Sequence, residues 1–358
     1  MKDLLTLVVP LLDRHHLTHR VLQNLDRQKC EFKIIVADGS VSKFEKERVK
    51  RGVFYENLDI EYMYNGHDFD IHRYMNKMHN AFQKISTPFA MIFDNDDLID
   101  LSGIRRGVYF MSNNLDYSTY RNDIRTLEFK QNYVEIADSL YTHPSIEQET
   151  SRERTIDCVN NFNSFNYAIF RTEQIKCFFE IMDCFDNNDF QLFSKSLAYF
   201  FASIGKCKRL FDESYYYFIP GNTILQTGNK IHKFREWMET KFWDNSSALM
   251  ISIVAAISSH LHKQDIREDF AKSFIKEVKE KSGIINPTFT STGESGGDSF
   301  GIEISSDNIG LDRYIEKSKN FDKKIHKILN KYNFDDQKYS CVQSEPRTNE
   351  EFTQSLST

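Results

Sequence analysis

The sequence predicts an α/β protein, a doubly wound sheet followed by a mostly helical C-terminal portion. Three observations carry that reading. Short apolar runs alternate with helical patterns through about the first hundred residues. Acidic residues stand directly after two of those runs, at Asp38 and at Asp94, Asp96 and Asp97. Beyond about residue 230 the strand pattern stops while helical periodicity continues.

Residues 4–9 read as a buried strand ended by Pro10. Residues 14–28 then read as a helix with Leu17, Val21, Leu22 and Leu25 on one face. A second strand, 32–37, runs into the turn-forming Asp38-Gly39-Ser40, and 58–64 is a third strand. Ile71, Met75, Met78, Phe82 and Ile85 recur at helical spacing over 71–85. The fourth strand, 89–93, empties into Asp94-Asn95-Asp96-Asp97, and 101–114 is again helical. From 115 to about 163 the chain is rich in Tyr, Asn and Thr without a clear period, and reads as an inserted or substrate-facing region. Order returns at strand 167–170, helices 173–182 and 190–203, and strands 208–211 and 215–218, before Pro220-Gly221-Asn222 breaks the chain. This places a first domain at 1–228. A helical module follows at 229–335, opening with Phe234, Trp237, Met238, Phe242 and Trp243. Within it 286–308 reads as a Gly/Ser/Thr-rich flexible loop and 311–332 as an amphipathic helix. The polar stretch 336–358 is expected to be a disordered tail.

At 358 residues the chain exceeds one ordinary domain, and 40% hydrophobic with 27% charged residues excludes collagen-like, coiled-coil and wholly disordered classes. Lys+Arg 46 against Asp+Glu 52 leaves a net charge of -6, so no global positive field exists to hold a nucleic-acid backbone. The six cysteines, Cys30, Cys158, Cys177, Cys184, Cys207 and Cys341, form no C-x-x-C pair and read as free thiols in a reducing compartment. Asp3 and Pro10 break the N-terminal apolar run, and the longest later one, 248–257, is far short of the roughly 20 residues of a membrane span. A cytoplasmic location is expected.

The acidic residues fall where open α/β sheets bind ligands, at the carboxyl ends of strands. Three carboxylates within four residues repel unless a cation joins them, and Mg²⁺ or Mn²⁺ prefers such oxygen ligands. The plainer alternative is a solvated strand-to-helix turn in which Asp97 or Asp100 caps the helix. His15, His16 and His19 lack a completing Glu or Cys and read as an exposed helix face. Arg105 and Arg106 read as a solvated face.

Strand 4–9 with Pro10, strand 32–37 with Asp38-Gly39-Ser40, Asn80-Ala81, and Phe93-Asp94-Asn95-Asp96-Asp97 together resemble the nucleotide-sugar-binding half of family 2 glycosyltransferases with the GT-A fold. The resemblance covers about residues 4–112, with a weaker echo to about 220. It implies that Pro10, Asp38 and Asn80 bind the donor nucleotide, and that Asp94 and Asp96 form an Asp-x-Asp pair holding ribose and a divalent metal, Mn²⁺ or Mg²⁺. Family members place a general base in a Glu-Asp pair at a helix start. Asn187-Asn188-Asp189-Phe190 has that shape, with Asn188 where Glu is expected. Asp189 is therefore the candidate base, and a helix cap is the competing role.

The implied activity is transfer of a sugar from a UDP- or GDP-sugar to a hydroxyl of a glycan or lipid-linked acceptor. It would be inverting and metal-dependent, in surface polysaccharide or lipopolysaccharide assembly. The basic face of helix 311–332 would suit an anionic inner-membrane surface, or the solvent side of a helix packed on its own domain. Two other readings stay open. A catalytically silent nucleotide-sugar-binding scaffold draws on Asn188 and on the lack of a nearby His after Tyr215-Tyr216-Tyr217, the next one, His232, lying farther on and reading as an ordinary surface or core residue. An Asp-dependent phosphotransferase draws on the strand before Asp94-x-Asp96.

Overall fold

The computed structural model describes residues 1–44, 55–129, 131–137, 144–162, 164–185, 190–211, 215–218, 243–281, 309–332 and 334. Asp189, His232 and the stretches 219–242, 286–308 and 335–358 lie outside the described residues.

A seven-stranded sheet runs in the order β10-β6-β9-β4-β1-β2-β3. Its strands are β1 (Leu5–Leu11), β2 (Lys33–Asp38), β3 (Asp59–Tyr64), β4 (Phe89–Ile92), β6 (Tyr117–Arg121), β9 (Ile169–Arg171) and β10 (Lys206–Arg209). β4, β1, β2 and β3 are mutually parallel, β6 and β10 are parallel, and only β9 runs antiparallel to its neighbours β4 and β6. A smaller sheet, β5-β11-β7-β8, is built from β5 (Leu98–Ile99), β7 (Ile124–Phe129), β8 (Val134–Ala137) and β11 (Tyr215–Phe218).

All of β1 is buried because helices cover both faces of the large sheet, as parallel sheets require. Its side chains alternate between two cores. Leu5, Leu7, Val9 and Leu11 point toward α1 (His15–Arg27) and α3 (Leu101–Asn113), while Val8 points toward α2 (Ile71–Gln83), α5 (Thr172–Asp183) and α6 (Phe190–Ile204). The second core continues without a break into α7 (Trp243–His262), α8 (Arg267–Lys281) and α9 (Ile309–Leu329), through Ile253, Val254, Phe270, Phe274, Ile325 and Ile328. The helical portion thus shares one hydrophobic interior with the sheet's α2, α5 and α6 face.

Three expectations change. β1 does not end at Pro10 but runs through it, with Pro10 opposite Ala37 of β2. The Leu4 and Val8 carbonyls bond toward β4, and Leu11 bonds toward β2. By alternation Pro10 faces the β4 side beyond that strand's last pairing at Ile92, so its missing N–H forfeits no ladder bond. The region 115–163 contains β6, β7, β8 and α4 (Ser151–Asn160). Its strand β6 was obscured because it buries Ser118 and Thr119, the former donating to the Phe201 carbonyl at 2.9 Å. Finally, the histidines of α1 do not all share an exposed face: His16 is exposed, but His15 is half-buried and His19 buried. His19 is buried with Nδ1 2.7 Å from the Tyr55 hydroxyl, and the His15 and His19 rings pack on Phe44. Arg105 makes a paired contact with Glu31 at 2.6 to 2.8 Å.

Candidate active site

A cavity of about 260 Å³ opens at the carboxyl edge of β1 and β4, lined among others by Pro10, Arg14, Asp68, Tyr74, Lys77, Asp94, Asn95 and Tyr167. The edge arises from topology: β1, β2 and β4 are parallel, so the turns after them gather at one end of the sheet. The volume sits near the lower end of the roughly 300–1,000 Å³ common for ligand sites.

The acidic turn after β4 forms its floor. Asp94, Asp96 and Asp97 each place a carboxylate oxygen within 4.8 Å of the others. Asp94 accepts from the Tyr167 hydroxyl at 2.6 Å, and Asp96 accepts from Arg14 at 2.6 Å. Burial, and then the neighbouring charge of Asp96, push the Asp94 carboxyl up to about 6, against the opposing pull of Tyr167, Arg14 and Lys77. A hard divalent cation fits this donor set, because it would relieve the mutual repulsion that raises Asp94. Asp100, and not Asp97, caps α3, accepting from Ser102 N–H at 2.9 Å.

On the opposite wall Lys77 is buried on α2. It forms an ion pair with the equally buried Asp68 and donates to the Leu11 carbonyl at 3.1 Å. Burial lowers the Lys77 pKa and raises that of Asp68, each against its partner's attraction. The loop that carries Asp68 folds over Gly39, where a Cβ would fall 2.1 Å from an Asp68 carboxylate oxygen. Gly39 also ties β1 to this loop, donating to the Leu11 carbonyl at 2.9 Å and accepting from Asp68 N–H at 2.8 Å. The glycine of the Asp38-Gly39-Ser40 turn is thus what allows the Asp68–Lys77 pair to form.

Of the residues expected from sequence, Pro10 and Asp94 line the cavity and Asp96 lies immediately behind Arg14. Two are placed elsewhere. Asp38 is fully buried, its carboxylate accepting from Ser40 N–H and Phe44 N–H at 2.9 Å and from the Tyr62 hydroxyl at 2.5 Å. It organises the loop after β2 and does not line the cavity. Asn80 is exposed near the far end of α2, donating to Asn76 at 3.2 Å, one turn beyond the part of the helix that reaches the cavity. Missed by sequence reasoning were Arg14, Asp68, Lys77 and Tyr167. Lys77 left a signal, a cation between Met75 and Met78 on a helix whose apolar residues otherwise face inward. Tyr167 left none, since its left-handed backbone, φ 68°, is set by the tertiary fold.

Fold and site together define an α/β protein with a cavity at the carboxyl edge of parallel strands, bordered by an acidic turn. No protein-family model matches the chain, and no curated protein matches it in sequence. Solved structures of TarS from S. aureus do match it. The crystal structure of TarS 1-349 is similar with a TM-score of 0.50 at 13% identity, over 98% of this chain and 92% of that one. The same TarS segment in complex with UDP-GlcNAc gives 0.50 at 12% identity, covering 92% of each. A further TarS structure gives 0.51 at 14% identity, over 95% of this chain and 55% of TarS. At such identities the likeness is one of fold: a mixed α/β architecture with a parallel-dominated sheet and a helical C-terminal portion.

Proposed function

We propose that this chain is a glycosyltransferase that moves a sugar from a nucleotide-sugar donor, UDP- or GDP-linked, to a hydroxyl of a glycan or lipid-linked acceptor. The observation that carries this reading is the cavity at the carboxyl edge of the sheet that Asp94, Lys77 and Arg14 line, with Asp96 held directly behind Arg14. Its support from outside the chain is the fold shared with TarS, a glycosyltransferase whose structure in complex with UDP-GlcNAc is known.

Asp94 and Asp96 would hold a divalent cation, Mn²⁺ or Mg²⁺. When bound, that cation would supply charge neutralisation at the departing nucleotide diphosphate. Lys77 adds a buried positive charge on the facing wall, where developing phosphate charge is stabilised most effectively in a dry site. In a single displacement with inversion, the acceptor oxygen bonds to the anomeric carbon while the bond from that carbon to the phosphate oxygen breaks, its electron pair leaving with the diphosphate. The acceptor proton passes to Asp189. The proposed setting is surface polysaccharide or lipopolysaccharide assembly on the cytoplasmic side of the membrane; separately, among the described residues no helix is long and apolar enough to cross a membrane.

The test is nucleotide diphosphate release from a panel of UDP- and GDP-sugars with Mn²⁺ or Mg²⁺, paired with thermal shifts by the same ligands. Asp96→Ala should lower turnover about 100-fold or more with little change in Tm. Asp189→Asn should lower turnover to a similar extent while donor-induced thermal shifts persist. Binding of donors without release by the wild type would leave a silent binding protein. Full activity of Asp96→Ala would remove the metal from the mechanism.

A further inference from the structure

Arg14 stands between the cavity and Asp96. Arg14, Asp94 and Asn95 line the cavity, whereas Asp96 does not, and its carboxylate is met from the cavity side by the Arg14 guanidinium at 2.6 Å. The second amino group of the same guanidinium lies 3.5 Å from Asn95 Oδ1. The acidic turn therefore carries its own cation in the place where the proposed metal would bind.

The backbone beneath Arg14 is unusual. Asp13 and Arg14 are consecutive non-glycine residues in the left-handed region, φ 51° and 52°. Such conformations are unfavourable for L residues and persist only where surrounding contacts impose them. Those contacts are present. Asp13 N–H donates to Ser40 Oγ at 2.7 Å, the Asp13 carboxylate accepts from Val41 N–H at 3.3 Å, and Asn95 Nδ2 donates to the Asp13 carbonyl at 3.5 Å. Arg14 sits at the N-cap of α1 but makes no side-chain cap bond there, so its side chain is given over to the acidic turn.

Two further details mark Arg14 off from the other cations of the region. Arg20 donates to the Asp96 backbone carbonyl at 2.5 Å, whereas Arg14 meets the Asp96 carboxylate itself. Lys77 is sealed against Asp68 and the Leu11 carbonyl, while the Arg14 side chain is 38% exposed and has room to move. An oxygen that accepts from a guanidinium at this distance cannot also ligate a divalent cation without placing two positive charges in contact. A guanidinium presents the same planar fork to a carboxylate and to a phosphate, so it can exchange one for the other.

We propose that Arg14 is the exchange cation of this pocket: it neutralises Asp96 while no donor is bound, yields Asp96 to the divalent cation that arrives with a nucleotide diphosphate, and turns to the phosphate oxygens. The inference rests on the metal-nucleotide reading of the site. Its consequence is that metal and nucleotide bind cooperatively, because each removes the obstacle to the other, and the coupling is reciprocal.

The experiment is Mn²⁺ binding to the full chain, followed by the EPR signal of free Mn²⁺, for wild type, Arg14→Gln, Arg14→Lys and Asp96→Asn, each without and with UDP, alongside Tm. Arg14→Gln should bind Mn²⁺ alone about tenfold tighter than wild type, bind UDP more weakly at saturating Mn²⁺, and show a smaller gain in Mn²⁺ affinity on adding UDP. Arg14→Lys, which lacks the fork, should move in the same direction by less and carries the test if the glutamine variant fails to fold. Asp96→Asn should lose Mn²⁺ binding in every condition. Mn²⁺ affinity that is unchanged or weaker in both Arg14 variants, with wild type binding Mn²⁺ in the presence of UDP, overturns the exchange while leaving the metal reading intact. No Mn²⁺ binding by wild type with UDP overturns that reading and the exchange together.

Discussion

Two sealed lysine–carboxylate pairs lie on the same side of the large sheet and do different work. Lys77 and Asp68 are 1% and 5% exposed, and Lys195 and Glu277 are 4% and 3% exposed. In burial and chemistry they are near equals. Lys195, on α6, reaches Glu277 of α8 at 3.0 Å, with the Tyr199 hydroxyl 3.1 Å from the same carboxylate and the Phe162 ring 4.4 Å from the ammonium. That pair fastens the helical portion to the sheet's helices. Lys77 instead borders the cavity, with Asp38 and Asp94 adding negative charge around it. The closed pair is packed on every side, and on the function proposed above the pair bordering the cavity would serve recognition.

The sharpest way to break the comparison is to remove one carboxylate from the closed pair. Glu277→Gln should cost about 3–5 kcal/mol by stranding Lys195 in the core, read as a lowered urea midpoint, with turnover per folded molecule unchanged. A comparable loss of turnover would show that the fastener also shapes the site. Lys77→Met should strand Asp68 at a similar cost in stability and, unlike Glu277→Gln, should also raise the donor Kd of the folded protein about 10- to 100-fold, an affinity loss near the 1–3 kcal/mol of a lost charge-assisted contact. Calorimetry with the donor decides this, and unchanged affinity would make Lys77 a second fastener.

Gly39→Ala tests how the open pair is built. Its Cβ would collide with the Asp68 carboxylate, so the loop must retreat from Lys77. About 1–3 kcal/mol of stability should be lost, as for overpacking, with donor affinity falling alongside. Retained affinity would detach Asp68 from the site.

The smallest effect concerns the anchoring of α9. Burial acts to raise the Glu180 pKa, but hydrogen bonds from Lys331 and the Tyr332 hydroxyl outweigh it and hold the carboxyl below its ordinary value. A depressed carboxylate adds stability above its unfolded pKa of about 4.5, and that stability is lost as pH falls through the lower folded value. Tm should therefore drop less between pH 5 and pH 3 in Glu180→Gln than in wild type. Identical slopes would show that this contact does not secure α9. The basic residues of α9 and the turn after it are partly accounted for here, since Lys324 donates to the Cys184 carbonyl and Lys331, just past the helix, pairs with Glu180.

The parallel strands were legible because each is a short apolar run closed by a turn, and burial on both sheet faces demands such runs. Strand β6 and helix α4 were not, because their stability draws on polar side chains. α4 carries Arg154, which donates to the Ala202, Gln148 and Glu149 carbonyls. Its start was nonetheless written in the chain: Thr150 and Glu153 form a capping box that the Thr-x-x-Glu spacing announces. In the site, Asp94 and Asp96 were legible from their place after an apolar strand. Lys77 was hidden by its neighbours on α2, and Arg14 by a backbone conformation that local sequence does not favour.

By itself the sequence determined the α/β class, the position of the acidic turn at a strand's carboxyl end, and the helical character of the C-terminal portion. These follow from periodicity and turn chemistry, which are local. Only the tertiary structure decided which charges meet. It sealed Asp38 into its own loop, turned Asn80 away, set Lys77 on Asp68 across a glycine, and laid Arg14 over Asp96. Electrostatic partnership depends on distances between segments far apart in the chain and on how much water the fold excludes from between them, and neither is a property of any one segment.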